Sequence, residues 1–246
     1  MAKLTIGQRD IDCLTFIHSH KVATAKQIHR EIFKKDYSNF CKKMRLYEKV
    51  KLVNRITGTK DFDLSGVYEL TKKGFNVVRA NKKGLIKHHR YKSNSPYHDL
   101  FLVEVRQYLK TRSVVTAYLT ENQIQTRGDF DTEEGLVDFK RLHCDGLLLL
   151  KAKGSGTILK VAVEFELSDK SMKDYREKLS CYYRSGSIHA VFYICKDKTT
   201  EARIKKSELD IYKSNKNKIY YLTYDQLQNE VQSVTFQSQN GSIIQV

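Results

Sequence analysis

The chain has 246 residues, 40% of them hydrophobic, with five cysteines and a formal net charge of +16. The hydrophobic content excludes a wholly disordered chain, and no apolar run reaches the 18 or so residues needed to cross a bilayer. The cysteines are odd in number and have no Cys-x-x-Cys spacing, which argues against a disulfide framework and a zinc ribbon. We therefore expect a cytoplasmic protein without a membrane partner.

The positive charge is concentrated in the first part of the chain. Residues 1–95 contain 22 Lys and Arg against 8 Asp and Glu, whereas residues 96–246 contain 22 against 20. A strongly basic segment attached to a nearly neutral one is typical of a separate module that binds a polyanion. Membrane-surface binding is less favoured, because the basic residues do not line one amphipathic helix.

Three helices followed by a hairpin are predicted in the basic part. The N-cap candidates are Thr5, Thr24, Ser38 and, for a closing fourth helix, Thr71. Two short strands, at 51–56 and 66–70, surround a polar loop and form a wing. His18 and His20, at the end of the first helix, are interpreted as surface residues. This order of elements predicts a winged helix-turn-helix, which occupies residues 1–81.

In a winged helix-turn-helix the third helix enters the major groove of double-stranded DNA with its N-terminal end first. The predicted DNA-binding residues are Ser38, Asn39, Lys42, Lys43, Arg45 and, at the tip of the wing, Lys60. Asn can read adenine and Lys can read guanine, but most contacts of this kind bind phosphate and position the protein. The alternative interpretation is a solvated lysine face that binds no ligand.

A basic linker, residues 82–96, ends at the only proline and precedes a second domain, residues 97–246. The predicted elements are a helix at 98–110, strands at 114–119, 143–150 and 158–167, a helix at 170–183, a strand at 190–195, a helix at 201–211, a strand at 219–222 and a final hairpin turning at Asn240-Gly241. An acidic insertion, residues 129–138, is expected to be mobile. The predicted fold class is α+β or α/β.

Three carboxylates of this domain are predicted to form a cluster. Side chains alternate along a strand, so Glu164 and Glu166 lie on one face, and Asp145 on the antiparallel neighbour can join them. Three hard oxygen donors suit Mg²⁺ or Mn²⁺ better than zinc. Such an ion polarises a phosphodiester and lowers the pKa of an attacking water. The alternative is a solvent-facing sheet edge with no metal.

The order helix, three strands, helix, strand, with Asp145 on the second strand and Glu-x-Glu on the third, resembles the PD-(D/E)xK nuclease fold of restriction endonucleases. In that fold the third strand usually ends Glu-x-Lys, whereas here Glu166 occupies the lysine position. The resemblance implies that Lys170 or Lys178, on the following helix, replaces this lysine. It also implies that Glu104, on the first helix, is an extra metal ligand. Without a replacement lysine, the domain is expected to bind metal poorly or to be inactive.

Together with the basic domain, four short motifs resemble the replication-relaxation family, which is similar to the MobC-type mobilisation relaxases of plasmids and integrative elements. The motifs are His98-x-Leu100, Cys144-Asp145-Gly146-Leu147-Leu148-Leu149-Leu150, Glu164-x-Glu166 and Lys178-x-x-x-Tyr182. The resemblance spans residues 8–195. It implies a protein that recognises an origin through the winged helix and nicks one strand with the nuclease-like domain. Relaxases often use a tyrosine nucleophile, for which Tyr175, Tyr182 and Tyr183 are the candidates.

Three hypotheses for function follow. The first is a divalent-metal-dependent relaxase or nickase of conjugation or plasmid mobilisation, with double-stranded DNA and other mobilisation or replication proteins as partners. The second is a transcriptional or partition-type DNA-binding regulator whose inactive nuclease-like domain only forms a homodimer. The third is an ordinary restriction-type endonuclease.

Overall fold

A computed structural model describes residues 5–34, 37–56, 66–82, 91–152, 154, 156–211, 217–230 and 233–246. The chain divides into two compact units. The first comprises Met1–Glu104 and Thr126–Gly128, and the second comprises Val105–Gln125 and Asp129–Val246. Both units are mixtures of helices and strands, as the predicted α+β class requires.

The first unit consists of helices and a small antiparallel sheet. Its elements are α1 (Gln8–His20), β1 (Val22–Thr24), α2 (Ala25–Ile28) with a π-helical continuation (His29–Phe33), α3 (Tyr37–Lys49), β2 (Val53–Ile56), β3 (Val67–Leu70), α4 (Lys72–Asn81) and the first part of α5 (Pro96–Lys110). Strand β3 lies between β1 and β2 and pairs antiparallel with both. The two predicted strands are confirmed as β2 and β3, whereas β1 is not predicted by the sequence.

Two of the four predicted N-caps are confirmed. Thr24 and Thr71 each accept a hydrogen bond of 3.1 Å from the backbone amide three residues later. The other two predictions are wrong. Gly7 caps α1 in place of Thr5, and α3 begins one residue before Ser38, which therefore lies in the first turn of that helix.

The prediction that His18 and His20 lie at the surface is also wrong, because both side chains are buried. Their rings pack on aromatic residues, with the centroid of His18 5.4 Å from that of Phe75 and that of His20 4.8 Å from that of Phe16. Burial lowers the pKa of His18 to about 4, from an ordinary value of 6.5. These two polar residues therefore occupy core positions that their residue type does not indicate.

The first part of α5 belongs to the first unit. Leu100 packs with Val22 and Val67. The side chain of Gln27 donates to the backbone carbonyl of Leu100 at 3.0 Å and to the carboxylate of Glu104 at 2.7 Å. These contacts extend the compact unit beyond residue 81. The limits given above for the domains, 1–81, 82–96 and 97–246, stay a prediction.

The second unit is built on a seven-stranded mixed sheet. Its remaining elements are β4 (Val115–Thr120), α6 (Glu121–Thr126), α7 (Asp129–Thr132), α8 (Val137–Arg141), β5 (Gly146–Lys151), β6 (Ile158–Glu166), α9 (Met172–Arg184), β7 (Ala190–Cys195), α10 (Lys198–Leu209), β8 (Ile219–Thr223), α11 (Tyr224–Asn229), β9 (Thr235–Gln237) and β10 (Ile243–Gln245). The strand order is β10-β9-β8-β7-β6-β5-β4. Strands β4 to β6 are antiparallel, β6 to β8 are parallel, and β8 to β10 are antiparallel.

The acidic segment 129–138 is packed, so the expectation of a mobile insertion is wrong. It forms α7 and contributes the first residues of α8, and the side chains of Phe130 and Phe139 are buried in the core of the second unit. The short helices α6 and α11 are likewise not predicted by the sequence. No helix in the described part of the chain has the length and apolar character needed to cross a membrane.

We predict that the first unit needs α5 for stability. A fragment of residues 1–82 loses the burial of Leu100 and Val103, and burial of such a side chain contributes about 1.5–3 kcal/mol. It should therefore be about 3–6 kcal/mol less stable than a fragment of residues 1–110. Thermal unfolding followed by circular dichroism measures the difference. Equal melting temperatures would contradict the role given to α5.

We also predict that His18 makes the folded protein less stable in acid. Below pH 6.5 the unfolded chain protonates His18, whereas the folded chain does not do so until about pH 4. Stability therefore falls as the pH decreases through this window, by about 3 kcal/mol in total. Urea unfolding at several pH values should show this slope in the wild type. The slope should be reduced in His18→Gln, and an unchanged slope would rule out His18 as its source.

Candidate functional site

The β5–β6 hairpin places two of the three predicted carboxylates together. Gly146 pairs with Val163 in antiparallel register, so Asp145, just before β5, is opposite Glu164. One oxygen of Asp145 accepts a hydrogen bond of 2.8 Å from the backbone N–H of Phe165. Asp145 and Glu164 are therefore neighbours on adjacent chain segments, as the strand pattern predicts.

Glu164 is buried, with only 4% of its surface exposed, and its two oxygens have different partners. The ammonium of Lys178, on α9, donates to Oε2 at 2.5 Å, and the hydroxyl of Tyr182 donates to Oε1. Burial raises the pKa of Glu164; Lys178 opposes this effect, Asp145 adds to it, and the net pKa lies above the ordinary value. This arrangement is a buried ion pair with a hydroxyl bonded to its acid.

Lys178 is held in its charged form by the same cluster. Burial lowers the pKa of its ammonium, but the negative charges of Glu164 and Asp145 raise it more, so the net pKa lies above the ordinary value. Its side chain is 28% exposed. Of the two lysines proposed to replace the missing Glu-x-Lys lysine, Lys178 is therefore the one that contacts Glu164.

Glu166 and Lys170 form a separate pair. Glu166 is 5% exposed, and its carboxylate accepts a hydrogen bond of 2.7 Å from the ammonium of Lys170. Lys170 lies before α9, which begins at Met172, and not on the helix as predicted. Each acid of the Glu-x-Glu motif thus has its own lysine.

Tyr193 belongs to this cluster and was missed in the sequence. It lies on β7 directly opposite Glu164 and is 1% exposed. Its hydroxyl has no hydrogen-bond partner among the described residues. Burial raises the pKa of Tyr193, and Glu164 and Glu166 raise it further. The parallel pairing of β6 with β7 could have placed Tyr193 here, but the register of that pairing is not visible in the sequence.

The metal-binding capacity of the cluster is limited to two carboxylates. In the described ranges no group of three or more His, Cys, Asp or Glu could hold a metal ion. Glu104 lies in the first unit, where its carboxylate accepts hydrogen bonds of 2.7 Å from Gln27 and Arg30. Mg²⁺ is commonly bound by one or two carboxylates together with substrate phosphates. Asp145 and Glu164 could supply two such carboxylates, but both oxygens of Glu164 accept hydrogen bonds from Lys178 and Tyr182 in this structure.

The three candidate tyrosine nucleophiles are not presented to solvent as free hydroxyls. Tyr175 and Tyr182 are buried, and Tyr182 donates to Glu164. Tyr183 is half-buried, and its hydroxyl donates to the carboxylate of Glu208 at 2.5 Å. The geometry therefore favours none of them for attack on DNA.

Some residues predicted to bind DNA have exposed side chains, whereas others contact residues of the protein itself. Ser38, Lys42 and Arg45 are exposed on α3, and Asn39 is half-buried. Lys60 lies outside the described residues. Their role in DNA binding stays a prediction.

Lys43 has a structural partner in the first unit. Its ammonium donates to the buried carboxylate of Asp10 at 2.8 Å, and the hydroxyl of Tyr47 donates to the same oxygen. Burial raises the pKa of Asp10, but Lys43 and Tyr47 lower it more, and the net pKa lies below the ordinary value. Lys43 therefore forms an ion pair that links α3 to α1.

Two further exposed residues of the first unit are not among the predicted DNA-binding residues. Tyr37, the first residue of α3, is 57% exposed. Arg55, on β2, is exposed, and its guanidinium lies so close to Gly66 that a Cβ there would be 2.9 Å from Nε. Their positions, at the start of α3 and on the predicted wing strand, could have indicated them as candidates from the sequence.

The fold and the cluster define a two-unit α+β protein with a basic first part and a buried acid–lysine site in the second. Residues 14–190 match the profile of the replication-relaxation family, and this match covers more than half of the chain. The chain belongs to the replication-relaxation family. Searches of curated proteins and of solved structures found no significant match.

We predict that removing Lys178 destabilises the second unit. Lys178→Met leaves the carboxylate of Glu164 buried without its cation, which costs about 3–5 kcal/mol. The double variant Lys178→Met with Glu164→Gln should be less destabilised than the sum of the single variants, because it removes both charges. Urea unfolding measures all three.

Lys173→Met is the matched control, because Lys173 lies on the same helix and is 81% exposed. Its effect should stay within about 0.5 kcal/mol. Additive losses in the double variant would mean that Lys178 and Glu164 are not coupled.

Proposed function

We propose that this protein binds DNA at a replication or transfer origin and nicks one strand there in a reaction that depends on a divalent metal ion. The observation that carries the proposal is the meeting of Asp145, Glu164 and Lys178 between β5, β6 and α9. In this proposal they act as the two acids and the lysine of a PD-(D/E)xK nuclease, with the lysine supplied by the helix. The family's name, replication-relaxation, agrees with a role in relaxing DNA.

The topology of the second unit supports a nuclease-like fold. Helix α5 is followed by the antiparallel strands β4, β5 and β6, with the short helices α6, α7 and α8 between β4 and β5, and then by α9 and the parallel strand β7. Asp145 and Glu164 would hold Mg²⁺ or Mn²⁺, which supplies charge neutralisation of the phosphodiester and a more acidic bound water. Tyr182 orients Glu164 through its hydrogen bond, and Lys178 keeps a positive charge at the site.

The first unit supports DNA binding as a winged helix. It has three helices, an antiparallel sheet whose strands β2 and β3 flank the predicted wing, and the closing helix α4. Most of the net charge lies in this part of the sequence. In this proposal α3 is the recognition helix, and Ser38, Lys42 and Arg45 are exposed to reach DNA.

A second candidate function is a DNA-binding regulator with an inactive nuclease-like domain, which could also serve for homodimerisation. The pairing of both glutamates with lysines, and the lack of a three-ligand group among the described residues, favour it. Other mobilisation or replication proteins are proposed partners under either function.

We predict that the protein converts a supercoiled plasmid carrying its own replicon's origin into open circles when Mg²⁺ or Mn²⁺ is added. Asp145→Asn and Glu164→Gln should each reduce the rate at least about a hundredfold, because charge stabilisation of this kind contributes several kcal/mol to the transition state. Agarose gels quantify the topoisomers. Glu134→Gln, a change at an exposed acid, is the control and should retain the activity.

Other outcomes of this assay have different meanings. A linear product would favour a restriction-type endonuclease. Intact supercoiled DNA in the presence of either metal would favour the regulator and contradict the nickase.

We predict a steep salt dependence of DNA binding, because phosphate contacts release counterions. In a plot of log affinity against log salt concentration, Lys42→Ala and Arg45→Ala should each reduce the slope by about one. Lys206→Ala, a matched change at an exposed lysine of α10, should leave the slope unchanged. Fluorescence anisotropy with a labelled duplex measures these slopes, and a flat salt dependence in the wild type would disprove phosphate binding.

A further inference from the structure

A groove runs along the outer side of α9 in the second unit. It has a volume of about 750 Å³, within the range of clefts that bind small molecules. Its lining residues include Arg176, Glu177, Ser180, Tyr183, Arg184 and, just after α10, Ile211. Helical periodicity places these α9 residues on the side opposite Lys178 and Tyr182, so the groove is separate from the site described above. We propose that this groove binds single-stranded DNA.

Tyr183 provides a fixed aromatic surface in the groove. Its ring is half-buried, and its hydroxyl donates to Glu208 at 2.5 Å, which restrains the orientation of the ring. Ile211 adds an apolar side chain to the same groove. Bases stack on such aromatic rings with little sequence preference, since every base has a π-face. The lining of the groove therefore suits an unstacked base.

The charge of the groove suits the phosphate of the same nucleotide. Arg176 pairs with Asp210 at 2.6 Å, and Glu177 pairs with Lys173 at 3.9 Å, so these charges are largely compensated. Arg184 is exposed and donates to the sulfur of Cys181 at 3.4 Å. In the part of the chain that the structure describes, no carboxylate pairs with Arg184. Its guanidinium is therefore the charge available to a phosphate.

The combination distinguishes a single strand from a duplex. In a duplex the bases are stacked on one another, whereas in a single strand a base can lie on Tyr183 while its phosphate contacts Arg184. The inference rests on the proposed function, because a strand nicked at an origin becomes single-stranded where the two strands of the duplex separate. Helix α9, which presents Lys178 to Glu164, would then also hold one DNA strand.

The test uses the full chain in EDTA, so that no metal-dependent cleavage occurs. A mixed-sequence oligonucleotide containing 5-iododeoxyuridine should photo-crosslink to the peptide that contains Tyr183, as identified by mass spectrometry. In anisotropy titrations, Tyr183→Leu should bind the single strand about tenfold more weakly, the loss expected for one stacked base, and Tyr183→Phe should retain binding. Arg184→Gln should reduce the salt slope for single-stranded DNA by about 0.7, the value for one lost phosphate contact.

Lys206→Gln, which removes one charge from an exposed lysine outside the groove, should change neither quantity. Duplex binding should be the same in all variants, and circular dichroism verifies their folding. Wild-type single-strand binding by Arg184→Gln and Tyr183→Leu, or crosslinks confined to the first unit, would overturn the inference. If the protein nicks plasmid but gives these contrary binding or crosslinking results, the groove proposal fails and the nickase proposal stands. If the variants lose single-strand binding as expected but the wild type never nicks, the nickase proposal fails and the groove proposal stands.

Discussion

The carboxylate of Glu164 is almost completely removed from water, and the fold accommodates it because Lys178 and Tyr182 bond to its two oxygens. Burying an ion costs several kcal/mol, and a buried ion pair is seldom more stable than apolar residues of the same volume. Asp145 adds a second negative charge nearby, which raises the pKa of both Glu164 and Lys178. Acids and lysines with perturbed pKa values are common at catalytic sites, which agrees with the function proposed for this cluster.

Much of the fold could be predicted from local sequence patterns. Runs of apolar residues located β6 and β7, and Thr24 and Thr71 marked two helix starts by their capping chemistry. The failures occurred where tertiary packing overrides local character. His18 is polar but packs on an aromatic ring, and the acidic segment 129–138 is anchored in the core by Phe130 and by Phe139, the residue that follows it. Neither contact has a signal within its own segment.

The acid–lysine site could be predicted only in part, because strand alternation is visible in the sequence whereas the packing of α9 on the sheet is not. Alternation along one strand placed Glu164 and Glu166 on the same face, and the hairpin brought Asp145 opposite Glu164. The sequence could not decide between Lys170 and Lys178, because the choice depends on how α9 packs on the sheet. In the structure Lys178 bonds Glu164, whereas Lys170 bonds Glu166. A similar pairing uses Lys43, which holds Asp10 within the first unit.

We propose that Asp145 and Glu164 form a divalent-metal site when DNA phosphate is present. Electron paramagnetic resonance of Mn²⁺, titrated with the protein and a short origin duplex, measures this binding directly. We expect bound Mn²⁺ in the wild type, weaker binding in Asp145→Asn, and weaker binding in Glu164→Gln. Glu134→Gln should bind Mn²⁺ like the wild type. Equal Mn²⁺ binding by all four proteins, or none in the wild type, would contradict a metal site at these two carboxylates.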